Sequence, residues 1–142
     1  MEVKNTSLIF TATYNEKENV KKLIDEINIY SPDSFILIVE DSSPDGTGEL
    51  LKELEKKSKN LKIIIREKKE GLDSAHKLAY EYAIKNNYKK IITMDADLSH
   101  EPKEIPIILK LLEDNSFVIG SRYMPGGSCE MSLHRWIMSY FG

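Results

Sequence analysis

The stretch Ser7–Ile27, SLIFTATYNEKENVKKLIDEI, changes its hydrophobic pattern part of the way along. Ser7–Thr13 is a short, continuously apolar and β-branched run, which is typical of a strand buried in a parallel sheet. The next apolar residues recur at the spacing of one helix face and are Val20, Leu23, Ile24 and Ile27. Asn15 and Glu18 have the spacing of a capping box, which predicts a helix start at this point. The stretch therefore predicts a strand, a polar turn and an amphipathic helix.

The same alternation continues along the chain. Further apolar runs of strand length are Phe35–Glu40, Leu61–Arg66, Lys90–Met94 and Phe117–Ile119. Helical spacing appears between these runs, first in Leu50, Leu51 and Leu54, and then in Ala75, Leu78, Ala79 and Tyr82. Pro102 suits the first turn of a further helix. Strands that alternate with helices predict an α/β fold with a mostly parallel sheet.

Composition limits the classes of protein to which the chain can belong. Its 142 residues give room for one domain, which we assign to residues 1–142. A net charge of -3 argues against nucleic-acid binding, which usually requires a basic face. The single cysteine, Cys129, fits a reducing compartment, and no apolar run approaches the roughly 20 residues that span a bilayer. We therefore expect a soluble, cytoplasmic chain.

Polar residues and glycines follow every predicted strand. The segments are Thr13–Glu16, Asp41–Thr47, Lys68–Leu72, Asp95–Asp97 and Gly120–Tyr123. Ligands of parallel α/β sheets bind beyond the carboxyl ends of the strands, so these segments predict a site at one edge of the sheet. The sequence has neither G-x-G-x-x-G after the first strand nor a G-K-[ST] phosphate loop. A bound diphosphate therefore needs another source of positive charge.

Asp95 and Asp97 are candidates for supplying that charge through a metal ion. Both follow the predicted buried strand Lys90–Met94 directly. Carboxylates at a strand mouth present oxygen ligands to Mg²⁺ or Mn²⁺, which bridges the oxygens of a diphosphate. A D-x-D pair also occurs by chance, and a solvated turn at a strand end is the alternative. The position after a buried strand favours the metal site.

Five motifs in this order resemble those of family 2 glycosyltransferases. They are TYNE (Thr13–Glu16), EDSSPDGT (Glu40–Thr47), REKKEGL (Arg66–Leu72), MDADLSHEP (Met94–Pro102) and GSRYxxGG (Gly120–Gly127). Within that family they are most similar to those of the dolichol-phosphate mannose synthases. The resemblance implies a GT-A fold and a metal-dependent, inverting transfer of mannose. It further implies GDP-mannose as the donor, a polyprenyl phosphate as the acceptor, and Mg²⁺ or Mn²⁺ as the cofactor.

The resemblance also implies roles for residues on the donor side. It assigns the guanosine to Ala12, Tyr14, Glu16, Val39 and Asp41. It assigns the donor diphosphate to Asp95, Ala96 and Asp97, and the metal to Asp95, Asp97 and Ser99. Two of these residues have alternative roles. Tyr14 is alternatively a half-buried packing aromatic, and Ser99 is alternatively a cap of the helix near Pro102. Asp45, in the same motif as Asp41, is equally well explained as a turn or cap residue, because Pro-Asp-Gly is turn chemistry.

On the acceptor side the resemblance assigns the phosphate to Arg122, Arg135 and Ser139. A phosphate monoester is already anionic at neutral pH, so it needs positioning rather than a general base, and a guanidinium provides this through bidentate bonds. Arg122 and Arg135, together with Asp97 on the metal side, are therefore the predicted catalytic residues. A structural ion pair of Arg122 with Glu16 or Asp97, and an exposed helix position for Arg135, are the alternatives.

The chain departs from the family pattern at three positions, with Glu40, Asp73 and Met131 where the family usually has Asp, Gly and Trp. Asp73 is alternatively the N-cap of a helix that begins at Ser74. Gly142 falls inside the helix that carries the family's acceptor residues. The last apolar stripe consists of Leu133, Trp136, Ile137, Tyr140 and Phe141. We expect it to dock on a second copy as a homodimer, to lie peripherally on the cytosolic face of a membrane, or to be a core helix.

Three other functions are compatible with parts of the pattern. One is a family 2 transferase that uses a UDP-sugar for a lipid or polysaccharide acceptor. Another is a sugar-nucleotide-binding remnant without catalysis, against which the intact Asp95, Asp97 and Arg122 argue. A phosphatase of the haloacid dehalogenase type also uses D-x-D, but there the motif follows the first strand, whereas here it follows the fourth.

Overall fold

Four strands and four α-helices make up the part of the chain that the computed structural model describes, residues 6–121. The strands are β1 (Ser7–Thr13), β2 (Phe35–Glu40), β3 (Leu61–Ile65) and β4 (Lys90–Thr93). The helices are α1 (Val20–Tyr30), α2 (Thr47–Lys57), α3 (Leu72–Lys85) and α4 (Ile105–Asp114), and a 3₁₀ turn (Pro102–Glu104) precedes α4. The predicted alternation of strands and helices is confirmed for these elements.

The sheet is wholly parallel and has the order β3-β2-β1-β4. β1 pairs with β2 from Leu8 opposite Phe35 to Thr13 opposite Glu40, and pairs with β4 along its other edge. The chain therefore moves outward from β1 to β3, and α3 returns it to the opposite side of β1. Such a reversal of strand order creates a topological switch point, here between β1 and β4.

The core has two layers because successive strand residues point to opposite faces of the sheet. The larger layer packs α1, α2 and α4 against strand residues Ile9, Ile36, Ile38, Ile63 and Ile92. The smaller layer packs α3 against strand residues Leu8, Phe10, Leu37 and Val39. α3 presents the small residues Ala75, Ala79 and Ala83 to the sheet. The helix faces predicted from spacing are thus the buried faces of α1 and α3.

The predicted fifth strand is wrong for the described part of the chain. Phe117–Ile119 has no strand structure there, and Phe117 and Ile119 are 78% and 70% exposed. A strand needs a neighbour that accepts and donates its backbone hydrogen bonds, and none of the described strands pairs with this segment. An apolar run indicates that a segment favours burial, but it does not indicate whether a neighbouring strand is present to pair with it.

Two predicted helix starts are also wrong. α1 begins at Val20 after Asn19, because Asn15 has a left-handed backbone (φ 57°) and belongs to the turn after β1. α3 begins at Leu72, so Asp73 lies in its first turn and not at the N-cap, where it still interacts favourably with the helix dipole. Pro102 does occupy the first turn of the 3₁₀ turn, as predicted.

We predict that Ile27→Ala destabilises the fold while Ile29→Ala, on the same helix, does not. Ile27 is fully buried in the larger core layer, whereas Ile29 is 70% exposed. Truncation of a buried isoleucine removes apolar contacts and leaves a cavity, which lowers the free energy of unfolding by about 2–5 kcal/mol. Urea unfolding followed by circular dichroism measures both variants. Equal losses would contradict the packing described for α1.

Candidate functional site

The carboxyl ends of the four parallel strands lie at one edge of the sheet, and the predicted polar segments follow them there. At the switch point, β1 is followed by Tyr14, and β4 is followed shortly by Asp95 and Asp97. Crevices at such points hold the ligand in open α/β sheets. The fold therefore brings the predicted nucleoside residues and the predicted metal residues to the ends of adjacent strands.

The turn after β1 is held against the loop after β2. The amide of Asn15 donates to Ser43 Oγ at 2.8 Å, and the amide of Glu16 donates to Thr47 Oγ1 at 3.1 Å. Tyr14 lies between the strand and these anchors and is 39% exposed. Its backbone is thus held on both sides, and its side chain is partly exposed.

The ends of β1 and β2 are joined below this turn. Ala12 and Val39 pair in register, and both pack in the smaller core layer. Glu40 is fully buried, and its carboxylate accepts hydrogen bonds from Thr13 Oγ1 at 2.5 Å and from the Ser43 amide at 2.5 Å. A buried carboxylate requires such partners, and these two hold the loop after β2 close to β1.

Asp41 and Arg66 form a buried ion pair between the ends of β2 and β3, with side chains only 8% and 6% exposed. Arg66 Nε donates to Asp41 Oδ1, Nη1 donates to Ser74 Oγ, and Nη2 donates to the carbonyl of Gly71 at 2.8 Å. Asp41 Oδ2 accepts from the amides of Glu70 and Gly71 at 3.3 and 3.2 Å. We call this network of Asp41, Arg66, Glu70, Gly71 and Ser74 the Asp41–Arg66 clasp. It fixes both ends of the loop between β3 and α3.

Arg66 is the residue that sequence reasoning did not single out. It is 7% exposed, and three of its side-chain nitrogens are engaged in the clasp. A signal was present, because a charged residue closes the apolar run Leu61–Arg66, and a charge at the end of a buried strand needs a partner. The sequence does not show which of the many carboxylates is that partner.

Lys69 contacts the candidate nucleoside residue Tyr14 across the site. Its Nζ lies 3.8 Å from the centroid of the Tyr14 ring, within the range of a cation–π interaction. Lys69 belongs to the loop that the Asp41–Arg66 clasp fixes at both ends. The loop after β3 and the turn after β1 therefore meet over the aromatic ring.

Asp45 has the local role that its Pro-Asp-Gly context predicts. Its Oδ1 accepts hydrogen bonds from the amide of Thr47 at 2.9 Å and the hydroxyl of Thr47 at 2.5 Å, and Oδ2 accepts from the Lys17 amide at 3.3 Å. The bond from the Thr47 hydroxyl is the main reason why the pKa of Asp45 is lowered. Gly46, with φ 89°, occupies the N-cap of α2. Asp45 is thus a turn residue that also satisfies the first amide of the helix.

Asp95 and Asp97 have different surroundings in the loop after β4. The His100 Nδ1 accepts a hydrogen bond from the Asp95 amide at 3.0 Å, and His100 Nε2 lies 3.7 Å from Asp95 Oδ2. Asp97 Oδ1 accepts from the Ser99 amide at 3.0 Å. The hydroxyl of Ser99 and then this amide lower the pKa of Asp97, burial opposes them with a smaller effect, and His100 lowers the pKa by less still. Asp97 is therefore an ionised and exposed carboxylate.

The donor set fits a divalent cation that prefers oxygen. Asp95, Asp97 and Ser99 offer carboxylate and hydroxyl oxygens, the ligand type of Mg²⁺ and Mn²⁺. Within residues 6–121 there is no group of three or more His, Cys, Asp or Glu side chains arranged to hold a metal by themselves. Magnesium commonly keeps few protein ligands and takes the rest from phosphate and water. The pair thus fits a metal that is shared with a bound diphosphate.

The predicted acceptor residues lie outside the described residues. These are Arg122, Arg135 and Ser139. The apolar stripe Leu133–Phe141, with the predicted homodimer contact, lies there as well. The described residues therefore contain only the predicted nucleoside and metal residues. No helix of that part is long and apolar enough to cross a bilayer.

The family of the chain follows from comparison with known proteins. A model of glycosyl transferase family 2 matches residues 8–138, which is most of the chain. The chain therefore belongs to glycosyl transferase family 2, as its motifs predicted.

Curated relatives are named for mannosyl transfer to lipid carriers. The chain is 36% identical over 124 residues to a polyprenol monophosphomannose synthase of Mycolicibacterium smegmatis, covering 86% of this chain and 47% of that protein. It is 37% identical over 125 residues to a dolichol-phosphate mannosyltransferase of Pyrococcus furiosus, covering 86% and 34%. A dolichol-phosphate mannosyltransferase of Saccharomyces cerevisiae is 34% identical over 123 residues, covering 83% and 45%. The chain spans less than half the length of these three relatives.

Solved structures agree on the fold. A mannosyltransferase of Pyrobaculum calidifontis, in complex with GDP-Man and Mn²⁺, has a TM-score of 0.55 at 19% identity, covering 65% of this chain and 27% of its own. TarS of S. aureus has a TM-score of 0.60 at 19% identity, covering 77% and 32%. The predicted GT-A-like architecture is confirmed by this similarity and by the parallel sheet.

We predict that Arg66→Met lowers the free energy of unfolding by about 3–5 kcal/mol, because it leaves the buried Asp41 carboxylate without its counter-charge. Lys62→Met is the matched control, since Lys62 forms an exposed pair with Glu55 whose removal changes stability by about 1 kcal/mol or less. Urea unfolding of both variants measures the difference. A loss for Arg66→Met no larger than the control would contradict a structural role for the clasp.

We predict that Ser99→Ala raises the pKa of Asp97 toward its ordinary value of 3.8. The Ser99 hydroxyl stabilises the carboxylate form, so its removal lets Asp97 take up a proton at a higher pH. Because the folded state lowers the pKa of Asp97, its ionised carboxylate also stabilises the fold. This stabilisation is present above pH 3.8 and is lost as the pH falls through the lowered pKa of the folded state. Carboxyl ¹³C NMR titration measures the shift, with the exposed Ser116→Ala as a control. If Asp97 titrates identically in Ser99→Ala and in the wild type, the Ser99 hydroxyl does not lower the pKa of Asp97.

Proposed function

We propose that the chain is the donor-binding part of a glycosyltransferase that moves mannose from GDP-mannose to a polyprenyl phosphate. The observation that carries the proposal is that Tyr14 follows β1 while Asp95 and Asp97 follow its neighbour β4 at the same sheet edge, with Asp41 after β2 on the other side of β1. An aromatic ring next to a metal-binding carboxylate pair suits a nucleoside diphosphate, which is planar at one end and anionic at the other. The names of the curated relatives support mannose and the lipid carrier.

On the nucleoside side, the ring of Tyr14 offers a stacking surface for the base or ribose. Glu16 is partly buried two residues on; its Oε2 accepts a hydrogen bond from Asn19 Nδ2 at 2.8 Å, and Oε1 is left to accept from ribose hydroxyls or base amino groups. Ala12 and Val39 lie at the ends of the paired strands β1 and β2, and Asp41 follows directly. These five residues lie at or shortly after the ends of the adjacent strands β1 and β2.

On the phosphate side, Asp95, Asp97 and Ser99 would hold the metal, with Ala96 in the same loop. When bound, the metal would supply positive charge that stabilises the departing GDP. The protein's own part is to orient Asp97 and further stabilise its carboxylate form through the hydrogen bonds from Ser99, which lower its pKa. The Pyrobaculum calidifontis mannosyltransferase in complex with GDP-Man and Mn²⁺ supports a metal role on the same fold.

The acceptor side is proposed from chemistry and from the relatives. Arg122 and Arg135, with Ser139, would hold the phosphate of the lipid carrier by bidentate hydrogen bonds and reduce its repulsion from the donor. A phosphate oxygen then attacks the anomeric carbon from the face opposite the leaving GDP, which inverts the configuration. Because the acceptor is a membrane lipid, the enzyme would work peripherally at the cytosolic face of the membrane.

A UDP-sugar transferase is the second candidate. S. aureus TarS in complex with UDP has a TM-score of 0.60 with this chain at 16% identity, above the score of the GDP-Man complex. The likeness at this identity concerns the fold alone. The nucleotide preference of the chain therefore separates the two candidates.

We predict that the 142-residue chain binds GDP in the presence of Mn²⁺ or Mg²⁺, more tightly than UDP, and much more weakly in chelator. Asp97→Asn removes a proposed metal ligand, so the affinity for GDP in the presence of metal should fall at least about tenfold. Loss of a residue that merely hydrogen-bonds to a metal ligand already has an effect of about this size. Asp33→Asn is the control, since Asp33 is exposed and precedes β2, at the opposite edge of the sheet. Isothermal calorimetry measures all arms.

Two results would count against the proposal. Equal GDP affinity with and without metal would remove the role of Asp95 and Asp97. A preference for UDP over GDP would replace the mannose donor by the second candidate. Transfer to a short polyprenyl phosphate, assayed on the same chain, distinguishes an enzyme from a binding remnant.

A further inference from the structure

We propose that Lys69 determines specificity at the nucleotide site by donating hydrogen bonds to the acceptor edge of a guanine base. The inference rests on the proposed function, because it deepens the description of the same site. It assigns the choice of nucleobase to the loop between β3 and α3. Neither the motif resemblance nor the relatives' names give this loop a role.

The loop is built to hold a side chain in place. The Asp41–Arg66 clasp fixes it at both ends, at Arg66 by the buried ion pair and at Glu70 and Gly71 by their amide hydrogen bonds to Asp41. Only three residues, 67 to 69, lie between these fixed points. Lys69 is therefore presented from a short, doubly anchored segment, although its side chain is exposed.

The position of the ammonium is the second observation. Lys69 Nζ lies 3.8 Å from the centroid of the Tyr14 ring, where the negative face of the ring attracts a cation. A base that stacks on Tyr14 takes the same face and moves the ammonium to the edge of the base. Exposed cation–π pairs are weak, so this exchange has a small energetic cost.

The chemistry of the base edge decides which base gains from the exchange. Guanine presents two adjacent acceptors, O6 and N7, to which a lysine donates well. Adenine places an amino donor beside its N7, which repels an ammonium, and uracil offers one carbonyl at the corresponding edge. The carboxylates of Glu16 and Asp41 only accept hydrogen bonds, and Asp41 already accepts from Arg66 and from two loop amides, so the acceptor edge of guanine needs a donor from elsewhere. Lys69 meets that need.

The test compares Lys69→Met with wild type for GDP, ADP and UDP, each with Mn²⁺, by isothermal calorimetry on the 142-residue chain. We expect GDP affinity to fall about tenfold, the loss of one charged hydrogen bond, while ADP and UDP affinities change less than about twofold. Lys69→Arg restores GDP binding, because arginine also donates to O6 and N7. Lys68→Met, the adjacent exposed lysine, leaves all three affinities unchanged.

Every other outcome overturns the inference. An equal loss for all three nucleotides would show that the ammonium acts on the diphosphate and not on the base. No loss would show that the contact with Tyr14 is only a surface pair. If wild type binds GDP and Lys69→Met keeps the GDP-to-UDP ratio, this inference alone fails. If wild type binds no nucleotide with metal, the proposed function fails together with it.

Discussion

The site depends on β1 being hydrogen-bonded in parallel along both of its edges, to β2 and to β4. Parallel pairing puts the carboxyl ends of all three strands at one edge, and the strand order reverses between β1 and β4, the position at which open α/β sheets bind their ligands. Tyr14 and Asp95 follow strands that are adjacent in space although about 80 residues apart in the chain. Without this pairing, the Tyr14 ring and the carboxylates of Asp95 and Asp97 would not follow adjacent strands at one edge of the sheet.

A second constraint is the burial of charge near this edge. Glu40 and Asp41 are consecutive and both are buried. The desolvation of each carboxylate is offset by a different set of partners. Glu40 accepts hydrogen bonds from a hydroxyl and an amide, whereas Asp41 pairs with Arg66 and also accepts two amides. Buried polar groups are stable only when fully partnered, so each one fixes the loop that supplies its partners. In this way the two carboxylates position the loops after β2 and β3.

The wrong helix start, the wrong fifth strand and the missed role of Arg66 have one common cause. Asn15 and Glu18 have the spacing of a capping box, but the Asn15 amide binds Ser43 from another loop, so α1 starts later. The run Phe117–Ile119 has the composition of a strand but has no partner among the described residues. Arg66 closes a predicted strand, and its partner Asp41 is 25 residues away. Each error concerns a contact between distant residues, which local spacing does not contain.

The sequence by itself determined the α/β class, the four described strands, the buried faces of α1 and α3, and the segments that form the site. These follow from hydrophobic period and from the position of polar residues after strands, which are local properties of the chain. Only the tertiary structure decided the strand order, the pairing of Asp41 with Arg66, and the placement of Lys69 over Tyr14. These depend on which elements pack together, because the energy of a buried charge or an aromatic contact is set by neighbours that the fold supplies and the local sequence does not.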